Sequence, residues 1–106
     1  MGVHRITSEV AKYYAARERV LGSGITLLGY ASEKVNELSK EDLEAFGDLA
    51  ASLLPHAPGY AGKLIVVVAR LFWALAGVGV KEIGFKDIEE LEKQIEELKK
   101  KLGVEE

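Results

Sequence analysis

A stripe of mostly apolar residues runs along the first third of the chain with the spacing of an α-helix. Its members recur at alternating intervals of four and three residues: Val10, Tyr14, Arg17, Leu21, Gly24, Leu28, Ala31, Val35 and Leu38. This period places them on one helical face, whereas a strand would alternate at every second residue. Gly22 and Gly24 lie within the stripe, and each costs a helix interior about 0.5 to 1 kcal/mol relative to alanine. We therefore expect the helix either to break there or to be approached closely by a neighbouring backbone.

Two further helices are predicted on either side of a proline-containing turn. Ser39 and Asp42 form a variant of the capping box, and the amphipathic segment that they open stops at Pro55. Its predicted core face consists of Leu43, Phe46, Gly47, Ala50, Leu53 and Leu54, with Glu44, Asp48 and Ser52 on the other side. From about Tyr60 to Gly77 the chain is apolar on every side except at Arg70. A helix of this kind in a soluble bundle is buried by its neighbours, so we expect it to be the central helix.

The last helix carries a heptad-like apolar pattern within a charged segment, residues 87–103. Asp87 and Glu90 give it a capping signal, and Gly103 gives it a stop. Its apolar positions follow a strict three-four repeat: Ile88, Leu91, Ile95, Leu98 and Leu102. The repeat lasts little more than two heptads, and isolated helices this short are marginal in water. The stripe must therefore dock on the chain's own bundle or form a zipper with another chain.

These elements predict one all-α domain spanning residues 1–106. It is a four-helix, bundle-like fold, or a five-helix fold if the first helix breaks, with a long N-terminal helix, a central apolar helix and a short coiled-coil-like C-terminal helix. A domain of this length has a radius of gyration of about 13 Å, whereas an unbroken helix from residue 8 to 38 would be about 46 Å long and would overhang it. The exposed apolar surface predicts a homo-oligomer. The expected contact residues are Ile88, Leu91, Ile95, Leu98, Leu102, Leu21, Gly24 and Leu28.

Composition narrows the classes of function. Fourteen basic and 17 acidic residues give a net charge of −3, which argues against nucleic acid as a partner. The chain has no cysteine, and Asn36, Gln94 and Met1 are single occurrences of heat-sensitive residue types, which suggests a thermophilic source. The first residues contain no apolar stretch of signal-peptide length, so we expect a cytoplasmic protein.

Few residues offer chemistry. Arg70 lies inside an apolar helix and needs an acceptor, which would be either a small anionic ligand or a structural partner such as Glu18. Lys63 ends the stretch Gly59–Lys63, which would be either a phosphate cradle or a plain interhelical turn, and which does not match a P-loop. His4 and His56 are the only histidines, and no partner for a triad or a metal site stands at a known spacing. We expect no enzyme activity, metal or cofactor.

A membrane anchor is the main alternative to a soluble bundle. Lys63 and Lys81 bracket residues 64–80, which as a helix would span about 26 Å, slightly less than the roughly 30 Å hydrocarbon core. Arg70 and Trp73 fall near the centre of this segment, where neither is favoured. The sequence thus favours a non-catalytic, self-associating helical protein with a structural or scaffolding role. The alternatives are a small membrane protein and, more weakly, a bundle that binds an anion through Arg70 or Lys63.

Overall fold

The computed structural model describes the backbone of residues 2–104 and the side chains of residues 8–104. This part of the chain folds into four α-helices and contains no strand. They are α1 (Gly2–Glu33), α2 (Lys40–Leu53), α3 (Gly59–Ala76) and α4 (Ile88–Leu102). Short 3-10 turns, Val35–Glu37 and Leu54–His56, follow α1 and α2. The predicted all-α, four-helix class is confirmed.

The helix boundaries follow the capping signals. The Ser39 hydroxyl accepts the backbone N–H of Asp42 at 3.1 Å, and the Asp87 carboxylate accepts that of Glu90 at 2.9 Å. At the other end, α3 and α4 stop at Gly77 and Gly103. Both of these glycines have a left-handed backbone, with φ of 78° and 70°, which side chains disfavour.

Helix α1 continues unbroken through its glycines. A Cβ atom added to Gly24 would lie 2.6 Å from Cδ1 of Leu53, at the end of α2, so the missing side chain lets the two helices approach. Gly22 has no such neighbour within 4 Å. Of the two outcomes that the sequence allowed, close approach is therefore the one observed, with a leucine side chain rather than a backbone as the neighbour.

Helix α2, not α3, is central. It contacts α1, α3 and α4, and its contact with α3 is the most extensive. Lys101 of α4 reaches Asp42 near the start of α2, while Leu54 lies near Gly62 of α3, so both α3 and α4 run antiparallel to α2. The prediction that residues 60–77 form a central helix is wrong. Short connections place both α1 and α3 on α2, and no element in the described part of the chain covers the apolar outer face of α3.

The heptad-like stripe of α4 packs inside the chain. Its five apolar side chains, Ile88, Leu91, Ile95, Leu98 and Leu102, are at most 8% exposed, and α4 contacts both α1 and α2. Gly24 and Leu28 of α1 are also buried, and Leu21 is half-buried. The expectation that these eight residues form the self-association surface is corrected. They bury apolar area against their own chain, which is the other arrangement that the pattern allowed.

The predicted overhang of α1 is present. This helix has 32 residues and is therefore about 48 Å long, and the molecule measures 54 × 28 × 21 Å with a radius of gyration of 15.0 Å. Residues 8–15 are all exposed, and among the described side chains of α1 the first buried one is Val20. The segment 8–15 thus projects beyond the core.

Candidate functional site

Apolar side chains form an exposed stripe along α3. We call it the α3 ridge; it consists of Tyr60, Leu64, Val67, Leu71 and Leu75, with exposed fractions from 43% at Leu75 to 86% at Tyr60. Their spacing of four, three, four and four residues keeps them on one helical face. The opposite face, with Ile65, Phe72 and Trp73, is buried. A helix that is apolar all round is therefore covered on only one side.

A groove runs beside the ridge, between α1 and α3. This α1–α3 groove has a volume of about 200 Å³ and is lined by Ile25, Leu28, Gly29, Ser32, Ala61, Leu64, Ile65 and Val68. A Cβ atom added to Gly29 would meet nothing within 4 Å, and Ile25 is 48% exposed. Because Gly29 has no side chain and Ile25 is partly exposed, the α1 side of the groove leaves room for a further helix to approach.

Two cations line the other edge of the ridge. Lys63 and Arg70 are both exposed and lie seven residues apart, on the side of α3 that faces away from α1. The expectation that Arg70 is buried and needs an acceptor, whether an anionic ligand, a carboxylate such as Glu18 or a carbonyl at the glycine turns, is wrong, because α3 lies at the periphery and solvent reaches the guanidinium. Arg70 lines a groove of about 300 Å³ that also contains Lys81, whereas Lys63 does not line it. The structure does not bring Lys63 and Arg70 together in one pocket.

The stretch Gly59–Lys63 forms the first turn of α3. The backbone N–H groups of Ala61 and Gly62 both donate to the carbonyl of Pro58, at 3.0 and 2.9 Å. These two donors are therefore already occupied, which supports the interhelical-turn interpretation of this stretch.

A polar cluster holds α2, α3 and the following segment together. Trp73 Nε1 donates to Asp48 Oδ1 at 3.0 Å, and Lys81 Nζ donates to Glu44 Oε2 at 2.7 Å and to Asp48 Oδ2 at 3.0 Å. Hydrogen bonds to Asp48 first, and then to Glu44, raise the pKa of Lys81 above its ordinary value. A lysine held in its charged form is neither a nucleophile nor a base. The sequence analysis missed this cluster because Lys81 is 33 residues from Asp48 and 37 residues from Glu44 in the chain.

His56 is buried and plays a structural part. Its Nε2 lies 2.7 Å from the carbonyl oxygen of Lys86, and its ring centroid lies 5.1 Å from that of Phe85. The carbonyl of His56 accepts a hydrogen bond from Nε of Arg17 at 3.0 Å. These contacts attach the turn after α2 to α1 and to the segment before α4. The side chain of His4 lies outside the described residues.

Among the side chains that the structure describes, no group of three or more histidine, aspartate or glutamate residues could hold a metal ion. Every buried polar side-chain atom in the same set has a hydrogen-bond partner. The α3 ridge is instead a row of exposed apolar side chains that the described part of the chain leaves uncovered.

Comparison with known proteins gives one informative match. An uncharacterized protein of Archaeoglobus fulgidus is 68% identical over 103 residues, which cover 97% of this chain and 95% of the relative. No family model matches the chain, and no solved structure matches it. The identity extends over almost the whole length of both proteins, so the relative contains counterparts of all four helices.

Proposed function

The chain belongs to the same family as the uncharacterized Archaeoglobus fulgidus protein, and from this premise we propose that it is a non-catalytic helical protein that self-associates in a structural role. The observation that carries the proposal is the uncovered α3 ridge. The contact surface is thus assigned to α3 and not to α4, whose apolar stripe is buried within its own chain.

The size of the uncovered surface supports association. From the exposed fractions of its five side chains, the ridge presents roughly 600 Å² of apolar area, at the upper end of the largest patch on a typical monomer. Ile25 and the walls of the α1–α3 groove bring the face close to the approximately 800 Å² per partner of a standard protein interface. The amine of Lys81 and the imidazole of His56 both form hydrogen bonds that hold elements of the fold together.

Light scattering of the purified protein without detergent tests the proposal. We expect a mass that is a multiple of 11.6 kDa at high micromolar concentration. Leu71→Lys places a charge in the middle of the ridge and should shift the mass to that of one chain, because a buried unpaired charge opposes association. Val80→Lys is the matched control, since Val80 is also apolar and exposed but lies outside the ridge, and it should leave the mass unchanged. A single-chain mass for the unmodified protein would overturn the proposal.

One observation favours a membrane role as a second candidate. Helix α3 has 18 residues with a mean hydropathy of 1.5, and only 28% of it is buried, so by length and composition it could cross a membrane. Core helices of soluble proteins pass the same test. A span would also require α3 to leave α2, which would break the Trp73–Asp48 hydrogen bond and expose Phe72. Flotation of the protein with lipid vesicles, together with insolubility after lysis without detergent, would favour this candidate over self-association.

A further inference from the structure

We propose that the occupant of the α1–α3 groove is the α3 ridge of a second copy of this chain, in a twofold dimer whose symmetry axis runs along α3. In this dimer the two α3 helices are parallel, and each ridge enters the other copy's groove. The inference rests on the proposed self-association and adds the surface, the symmetry and the relative orientation of the two copies.

The shape of the face that α3 and α1 expose favours this dimer. The ridge and the groove lie side by side on the same face, so this face is self-complementary under a suitable twofold rotation. A twofold rotation about an axis parallel to α3 swaps the ridge side and the groove side of the face, so each ridge lies over the partner's groove. A twofold rotation about an axis perpendicular to α3, within the plane of the face, does not swap the two sides, so ridge lies on ridge and groove on groove. Only the first rotation inserts side chains into an open space.

The distribution of charge along α3 favours the same orientation. The described part of α3 has no acidic residue, and Lys63 and Arg70 lie on the edge of the ridge away from α1. An axis across α3 would bring these basic edges of the two copies together, where like charges repel. An axis along α3 instead places each basic edge against the partner's α1.

The level of Arg70 along the dimer supports the same choice. Gly24 of α1 and Gly62 of α3 both lie beside the C-terminal end of α2, and the short connections make α1 and α3 both run antiparallel to α2. Arg70, eight residues beyond Gly62, therefore lies about level with the C-terminal end of α1. This end carries the exposed Glu33 and no basic residue in its last turn, and the exposed Lys34 follows directly after the helix. A helix C-terminus also carries partial negative charge, so it favours a cation. Parallel docking therefore places Arg70 of one copy near Glu33 of the other.

Disulfide cross-linking tests the orientation, and the chain has no cysteine to interfere. Leu64→Cys and Leu75→Cys mark two ridge positions that are about 16 Å apart along the helix. In a parallel dimer each variant should cross-link to itself, because an axis along α3 keeps equivalent residues at the same level on two neighbouring ridges. In an antiparallel dimer only a mixture of the two variants cross-links. Glu89→Cys, at an exposed site on α4, is the control and should stay uncross-linked.

The outcomes separate the two proposals. Self-cross-linking of both ridge variants supports the inference. Cross-linking only in the mixture, or no cross-linking in a protein whose mass shows an oligomer, overturns the inference and leaves self-association standing. A single-chain mass overturns both.

A charge reversal gives a second readout. Arg70→Glu should weaken dimerisation by about three- to tenfold, because it places a carboxylate beside the partner's Glu33. Adding Glu33→Arg should restore the affinity in a parallel dimer, since the pair is then re-formed with its charges exchanged. Sedimentation equilibrium measures both dissociation constants, and weakening without restoration by the double variant would contradict the orientation.

Discussion

Gly47 lets α2 and α3 approach closely at Trp73. A Cβ atom at this position would lie 2.6 Å from Nε1 of the buried indole, and the ring is held by its hydrogen bond to Asp48. We expect Gly47→Ala to lower the free energy of unfolding by about 1 to 3 kcal/mol, because a rigid ring must shift in a packed core. Urea denaturation measures the change.

Gly22 provides the matched control for that substitution. It lies inside α1 with nothing within 4 Å of an added Cβ, so Gly22→Ala should raise stability by about 0.5 to 1 kcal/mol through helix propensity alone. Equal effects of the two alanines would show that the contact with Trp73 does not constrain Gly47.

Lys81 should contribute a pH-dependent part of the stability. Its pKa is raised above 10.5 by hydrogen bonds to Asp48 and Glu44, so the folded chain favours the protonated form. The resulting stabilisation is fully present below about pH 10.5 and is lost as the pH rises through the raised pKa. The difference in unfolding free energy between the unmodified chain and Lys81→Met should therefore be constant from neutral pH to about pH 10 and shrink above it.

Lys86→Met serves as the comparison for Lys81→Met. The Lys86 amine lies 3.4 Å from the neutral amide oxygen of Gln94, so its removal should not reproduce this pH profile. A pH-independent difference for Lys81→Met up to about pH 12 would contradict the role given to the cluster.

Local signals at single residues were predictable, and long-range partners were not. Ser39, Asp87, Gly77 and Gly103 act through neighbours within a few residues, so the sequence contains their whole environment. The exposure of Arg70 depends on which helix becomes central, and no periodicity within one segment states that. The unmatched indole N–H of Trp73 was the one available sign that an acceptor such as Asp48 lies nearby.

At the scale of elements, α4 should behave as part of the core. Leu98 is buried at the contact between α4 and the rest of the bundle, so Leu98→Ala should cost about 2 to 4 kcal/mol of stability through lost burial and a cavity. The loss should appear in chemical denaturation at every protein concentration. If it appeared only where the protein is oligomeric, the leucine would act between chains.

The apolar stripe of α4 was predictable, but the fact that it packs within its own chain was not, and neither was the exposed side of α3. In α4 the polar residues mark one face as solvent-exposed, so the buried stripe can be read directly. In α3 nearly every side is apolar, so the pattern holds no information about which face meets α2. Which residues of α3 form the exposed ridge therefore depends on how α1 and α2 pack against it.

At the scale of the whole molecule, composition predicts high thermal stability. The chain has one Asn, one Gln and no cysteine, with abundant Glu and Lys. We expect the helical signal at 222 nm to survive heating to about 90 °C, above the range of mesophilic domains. A midpoint of about 45 to 65 °C would contradict the thermophilic source that the composition predicts.

The projecting segment of α1, residues 8–15, also divides the backbone into two classes of amide proton. Residues 8–15 have helical hydrogen bonds but no buried side chains, whereas residues around Leu27 are held by the core. Deuterium should therefore replace the first set through local fraying and the second only through global unfolding, so one long rod would exchange at two very different rates.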